Sequence, residues 1–367
     1  MKAAGSGASF LVLLGAVLAG FGAVGCGGYG NNGVAPGPTP VAGSEFVFIP
    51  DAVNNILNVL VISPDGTFNN GPVPIIGTGT APVWAAVDPT NHYVYVTNFT
   101  SNTVTAYSLN TTSGSVSSLG SIAAGTNPGA VAVDPSSKFA YVANDGSNNV
   151  SAYTIGASGA LTAVAGSPFP AGTTPQQGVA ATSGFVYVNN QGSSNVSAYS
   201  INAGTGALTA LGSSPFATGA GPESLAMDPA GKFLFTANMN SNNVSAFTVN
   251  GDGSLTPVPG SPFAAGNSPQ YLVTDRTGAH LYVVNVNDNT VEAYNIAANG
   301  ALSVLNLYAT GFGPEGLAVD AANRFLLVAN CGDGTLSGFS INGDGTLTSL
   351  GPNLILGGCP QAVATSH

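Results

Sequence analysis

Seven times along the chain a proline opens a short apolar run, and the residue directly after it reads Val83, Gly129, Gln176, Glu223, Gln270, Glu315 and Gln361 in turn. The last five are polar and two of them are carboxylic acids, more polarity than the start of a strand needs. Carboxyls carried at one repeated offset can serve as general base, general acid or metal ligand toward a bound molecule, with amides fixing its orientation. Glu223 and Glu315 are therefore the catalytic candidates, and Gln176, Glu223, Gln270, Glu315 and Gln361 the candidate ligand-binding ring. The repeat opened by Pro175 carries one extra residue before its strand, so Gln177 is the alternative to Gln176. The competing reading of the ring is solvation of a water-filled channel.

Other chemistry finds little support. Histidine occurs only as His92, His280 and His367, and no Cys-x-x-Cys exists, so neither a zinc site nor a haem attachment has its ligands. Gly311-Phe312-Gly313-Pro314-Glu315-Gly316 spells a dinucleotide fingerprint but contains proline and leads into a strand rather than a helix. The Asn250-Gly251-Asp252-Gly253 and Asn342-Gly343-Asp344-Gly345 segments lack the acidic spacing of a calcium loop and read as hairpin turns. No nucleophile elbow is present. No cofactor is expected; a divalent metal at the ring of carboxyls stays open.

The elements that must position this ring come from a repeat of 45 to 48 residues. Besides the proline (82, 128, 175, 222, 269, 314, 360), a polar residue closes the following strand at Asp51, Asn98, Asn144, Asn190, Asn238, Asn285 and Asn330. A glycine precedes a short final strand at positions 66, 114, 159, 206, 253, 300 and 345. One unit, residues 127–174, contains AVAVD, FAYVAN, VSAYTI and ALTAV, separated by Asp-Pro, Asn-Asp-Gly and glycine turns. Four short strands per repeat, seven repeats and no sustained helical period describe an all-β, seven-bladed β-propeller of four-stranded antiparallel blades. The chain enters its first blade at Phe46–Ile49 with no innermost strand before it, and Cys359–Ala364 supplies that strand from the far end. One blade is thus shared between the termini, which leaves no open sheet edge at the seam.

This arrangement places Cys331, after a second strand, and Cys359, before the next innermost strand, on one face in adjoining blades. A disulfide between them is expected in an oxidising compartment, with two separate thiols as the alternative. The five polar ring positions belong to the same face.

Residues 1–25 read as an export signal, and Ala23-Val24-Gly25-Cys26 resembles a bacterial lipobox that would lipidate Cys26. Residues 26–44 are a Gly/Pro-rich tether, and 45–367 the propeller. The expected location is periplasmic or cell-surface, anchored to the outer membrane by the lipid alone, as a monomer. Without the leader, Lys138, Lys232, Arg276 and Arg324 are the only Lys and Arg against sixteen carboxylates, which argues against nucleic acid as a partner. An unknown small molecule, glycan or protein is left.

Tyr95-Val96-Thr97-Asn98 spells the YVTN motif, with variants at Tyr141–Asn144, Tyr187–Asn190, Phe235–Asn238 and Tyr282–Asn285. From about residue 45 the chain resembles the YVTN-repeat and lactonase families of seven-bladed propellers, often labelled 6-phosphogluconolactonase-like. The residues themselves favour a non-catalytic exported binding or scaffold module for an unknown ligand or partner, and the resemblance implies, as the alternative, a lactonase-type hydrolase acting on a sugar lactone. All four mature cations fall in loops between first and second strands, opposite the ring, where no phosphate at the mouth could reach them. A neutral lactone or saccharide suits the ring better.

Overall fold

The computed structural model describes residues 40–367. The export signal, the lipidation site Cys26 and the tether up to residue 39 lie outside the described residues. Seven antiparallel sheets follow one another, one per repeat. Blade 1 contains Glu45–Asp51. Blades 2 to 7 begin with the innermost strands Pro82–Val87, Pro128–Val133, Val179–Ala181, Pro222–Met227, Pro269–Thr274 and Pro314–Val319, and Ala364–Thr365 provides that of blade 1. Each innermost strand lies beside the next, and Ala364–Thr365 touches both Pro314–Val319 and Pro82–Val87, so the ring closes around a central channel.

Blade stacking explains the sequence pattern. Second strands such as Phe139–Asn144 are sandwiched between neighbouring sheets and are buried at every residue, so they read as continuous apolar runs. Outer strands such as Leu161–Ala163 face water and are short. The fourth strand is not always single, as the repeat suggested: in blades 3, 4, 5 and 7 two short pieces pair with the third strand. In blades 3 to 5 the break falls at Ser-Pro, where proline has no N–H to donate. There Ser167, Ser214 and Ser261 accept the third-strand amides of Ala152, Ala198 and Ala246 through Oγ at 2.9 Å.

The repeated motif residues are staples. Asn144 Oδ1 accepts the Gly125 amide at 3.1 Å, while its Nδ2 donates to Asn149 Oδ1 and Ser151 Oγ at 2.8 and 2.9 Å. It thereby pins the loop entering its own blade to that blade's third strand. Tyr141 Oη donates to Gly206 O of the next blade at 3.1 Å. Gly206 needs its glycine, since φ is +75° and a Cβ would stand 2.4 Å from the Phe139 ring. Asp134 accepts the amides of Lys138 and Phe139 at 2.8 and 2.7 Å, the turn role expected of it. A cation offsetting the turn carboxylate is seen at Arg324, whose Nε lies 2.9 Å from Asp320 Oδ2. Lys232 holds the equivalent turn position in blade 5, but its Nζ donates to Ala298 O at 2.8 Å.

At the seam, Val47 pairs with Thr365 and Phe48 with Ala364. The ladder is shorter than the expected Cys359–Ala364 strand: towards Cys359 it continues as an isolated bridge between Asp51 and Pro360, with the Gln361 amide on Pro50 O at 3.1 Å and the Ala52 amide on Cys359 O at 3.2 Å. Phe46 N–H donates to Ser366 Oγ at 2.9 Å and Cys359 N–H to Asp51 Oδ1 at 3.1 Å, completing the closure.

Candidate functional site at the channel mouth

In four blades the residue after the marker proline is set out of the alternating pleat by a backbone irregularity. Ladder register slips between Pro82 and Trp84, Pro222 and Ser224, Pro269 and Tyr271, and Pro314 and Gly316. Val83, Glu223, Gln270 and Glu315 are therefore the extra residues of β-bulges, a device that re-aims a side chain out of the alternating pleat. In blade 3 the equivalent residue is Gly129, because a Cβ there would sit 2.2 Å from Gln176 O. Blade 4 starts its strand later, at Val179. Gln176 and Gln177 both lie in the lead segment, both buried, each with an Oε1 lacking a hydrogen-bond partner. Gln270 is also buried, between the positions of Glu223 and Glu315 in the ring.

Glu223 is fully buried and its Oε1 has no partner. Burial raises its pKa to about 8, a hydrogen bond from Gln191 opposes the rise, and the charges of Asp145 and Glu315 add to it. Glu315 is partly covered but its Oε2 is sealed and unpartnered, and burial raises it to about 7. Asp145 has a sealed, unpartnered Oδ1 and is raised by burial to about 6. The charges of Asp145 and Glu315 are both felt at Glu223, so blades 3 and 7 carry carboxyls near the one from blade 5.

Asp145 and Gln191 are site residues that the proline offset does not reveal. Both directly follow a motif asparagine, and their amides bond Asn127 O and Thr174 O at 3.0 Å, which fixes them at the mouth. The signal was available: Cys331 occupies the same offset.

Cys331 and Cys359 form a disulfide, with Cα atoms 4.1 Å apart. Gln361 Nε2 lies 3.0 Å from Cys359 Sγ. A Glu315 carboxylate oxygen and the two sulfurs lie within 4.8 Å of one another. Both sulfurs are spent on each other, so this trio holds no thiolate for a metal.

Below the ring, Trp84 of blade 2 meets Tyr271 of blade 6 across the channel, ring centroids 5.0 Å apart. Trp84 also packs against three core clusters, drawn from blades 2 and 3, blades 3 and 4, and blades 6 and 7. The mouth is thus a cup with an aromatic floor. Lys138, Lys232, Arg276 and Arg324 lie in the loops at the other face. Two grooves of about 90 and 400 Å³ run along outer strands, lined by Leu119 and Ile122 in one and Pro170 and Tyr199 in the other, without a carboxylate.

Fold and cup together define a closed seven-bladed propeller with an acidic, cation-free channel site. The chain belongs to the lactonase family of seven-bladed β-propellers, whose family model matches residues 76–221, 179–262 and 252–355. No curated protein matches the chain. Among solved structures it is similar to a protein from Bacteroides uniformis provisionally classed as a 6-phosphogluconolactonase, at 16% identity and TM-score 0.78 over 88% of this chain and 99% of that one. One of the same provisional class from Bacteroides fragilis gives 19%, 0.77, 90% and 100%. A periplasmic gluconolactonase from Pseudomonas aeruginosa gives 18%, 0.74, 88% and 99%. At these identities the likeness establishes the fold.

Proposed function

We propose that the chain is a lactone hydrolase acting at this mouth on a neutral, unphosphorylated lactone. Family membership and gluconolactonase-like neighbours support hydrolysis over the binding-module reading. The observation that carries the reading is the set of buried, partly unpartnered carboxyls whose pKa values straddle neutrality, the arrangement that assigns acid and base roles. Protonated Glu223 donates a hydrogen bond to the lactone carbonyl. Ionised Glu315 takes a proton from the attacking water, whose oxygen bonds the acyl carbon. As the ring C–O bond breaks, Glu315 passes that proton to the departing oxygen, and a hydroxy acid forms with both carboxyls restored. At neutral pH the product is an anion among carboxylates, which favours its release.

Substrate hydroxyls would answer the unpartnered acceptor oxygens of Gln176, Gln177 and Asp145. A phosphate would meet negative charge and no Lys or Arg. The chemistry runs on these carboxyls without a resident cofactor, and the exported, lipid-anchored monomer of the sequence reading would work outside the cytoplasm. A hydrolysis panel on residues 45–367, with and without EDTA, tests the reading. Neutral lactones should be turned over in both conditions, at least tenfold better than phosphorylated ones, and Glu223→Gln with Glu315→Gln should abolish turnover while the protein stays folded. Equal activity of the double variant would overturn it.

A further inference from the structure

The cup is chemically two-sided. At positions equivalent to Asp145 and Gln191, blade 2 carries Phe99, and at the bulge position of Glu223 it carries Val83, immediately before Trp84 of the floor. Phe99 and Val83 are half-buried, yet neither packs into any hydrophobic cluster of the described residues. The rim continues this character: Val53 on blade 1 and Phe312 on blade 7 are each 63% exposed. Phe312 is the only aromatic at its place, two residues before the marker proline, where the other blades have Thr80, Thr126, Thr173, Ala220, Asn267 and Gly358. Blades 3 to 5 meanwhile present only polar groups and Met239 at the two ring offsets, apart from Gly129.

Half-exposed apolar side chains with no packing partner, set beside a few convergent polar groups in a cup, are the usual lining of a small-molecule site. Val83, Trp84 and Phe99 are each only partly buried, a small apolar area that suits a small group rather than a macromolecule. We infer that blade 2 is an apolar subsite, and that the substrate is a lactone bearing an alkyl or aryl substituent which lies over Val83, Trp84 and Phe99 while the lactone ring faces Glu223 and Glu315. This rests on the lactone-hydrolase reading and narrows its substrate. A bare polyhydroxylated lactone would leave the sector against water.

The test compares δ-valerolactone, glucono-δ-lactone and δ-decalactone as substrates, and follows binding of an uncleavable alkyl lactam by the emission of Trp84, the chain's only tryptophan. The alkyl lactone should exceed δ-valerolactone in kcat/KM by at least about tenfold, mostly through KM, given the methylenes it buries. Phe99→Ser and Val83→Ser should each shrink that ratio several-fold, and weaken lactam binding by a similar factor while leaving the melting temperature within about two degrees. A preference for glucono-δ-lactone, or ratios unmoved in both variants, would overturn the inference while leaving the hydrolase reading intact. Should no lactone be hydrolysed, the hydrolase reading fails, and lactam binding that depends on Phe99 would still support the apolar subsite.

Discussion

Gln191 of blade 4 donates its side-chain N–H to Glu223 Oε2 of blade 5 at 2.5 Å. That bond stabilises the charged carboxylate and works against burial. Replacing Gln191 with Leu should push the Glu223 pKa above about 8 and move the alkaline limb of the kcat/KM profile upward. A limb that stays in place would remove Glu223 from the role of acid.

The same carboxyl makes stability depend on pH. Folded Glu223 keeps its proton up to about 8, whereas an unfolded glutamate releases it near about 4.3. Between those values the folded state binds more protons, so its stability is full below about 4 and falls as pH rises toward 8. Denaturant titrations at pH 5 and 8 should show that loss, and Glu223→Gln should flatten it and be more stable than the parent at pH 8 by on the order of 2–4 kcal/mol. A parent protein equally stable at both values would contradict the burial argument.

The Cys331–Cys359 bond spans 28 residues and ties blade 7 to the segment that closes blade 1. A loop of that length is worth about 3–4 kcal/mol in the chain-entropy view. Reduction, or Cys331→Ser with Cys359→Ser, should lower unfolding free energy by that order. Removal of residues 360–367 should cost more, since the innermost strand of blade 1 goes with them. Unchanged melting after reduction would show that the seam is held by the strand alone.

Asn144→Ala should destabilise the propeller by roughly 2–3 kcal/mol, because the Gly125 amide and the side chains of Asn149 and Ser151 lose their partner. Tyr141→Phe removes one bond to Gly206 O, worth about 1 kcal/mol. If the asparagine change were the milder of the two, the motif would be serving some purpose other than stapling.

The sevenfold architecture was legible because each blade repeats the same turn chemistry and the same buried second strand. Proline, asparagine and glycine each mark a fixed backbone need, so their spacing reads out the blades and even the shared one. The shared offset was legible too, and Glu315 and Gln361 lie beside the Cys331–Cys359 sulfurs. Three things were not. The bulges that aim Glu223 and Glu315 leave no mark of their own in the sequence. Asp145 and Gln191 sit behind motif asparagines whose role is structural, which drew attention to the wrong residue of the pair. Trp84 and Tyr271 are far apart in the chain and meet only because seven blades close a circle.

The Trp84–Tyr271 contact joins blades 2 and 6 across the middle of the ring. If the lactone-hydrolase proposal holds, product and substrate share the mouth above this aromatic pair, so accumulating hydroxy acid should compete directly with incoming lactone.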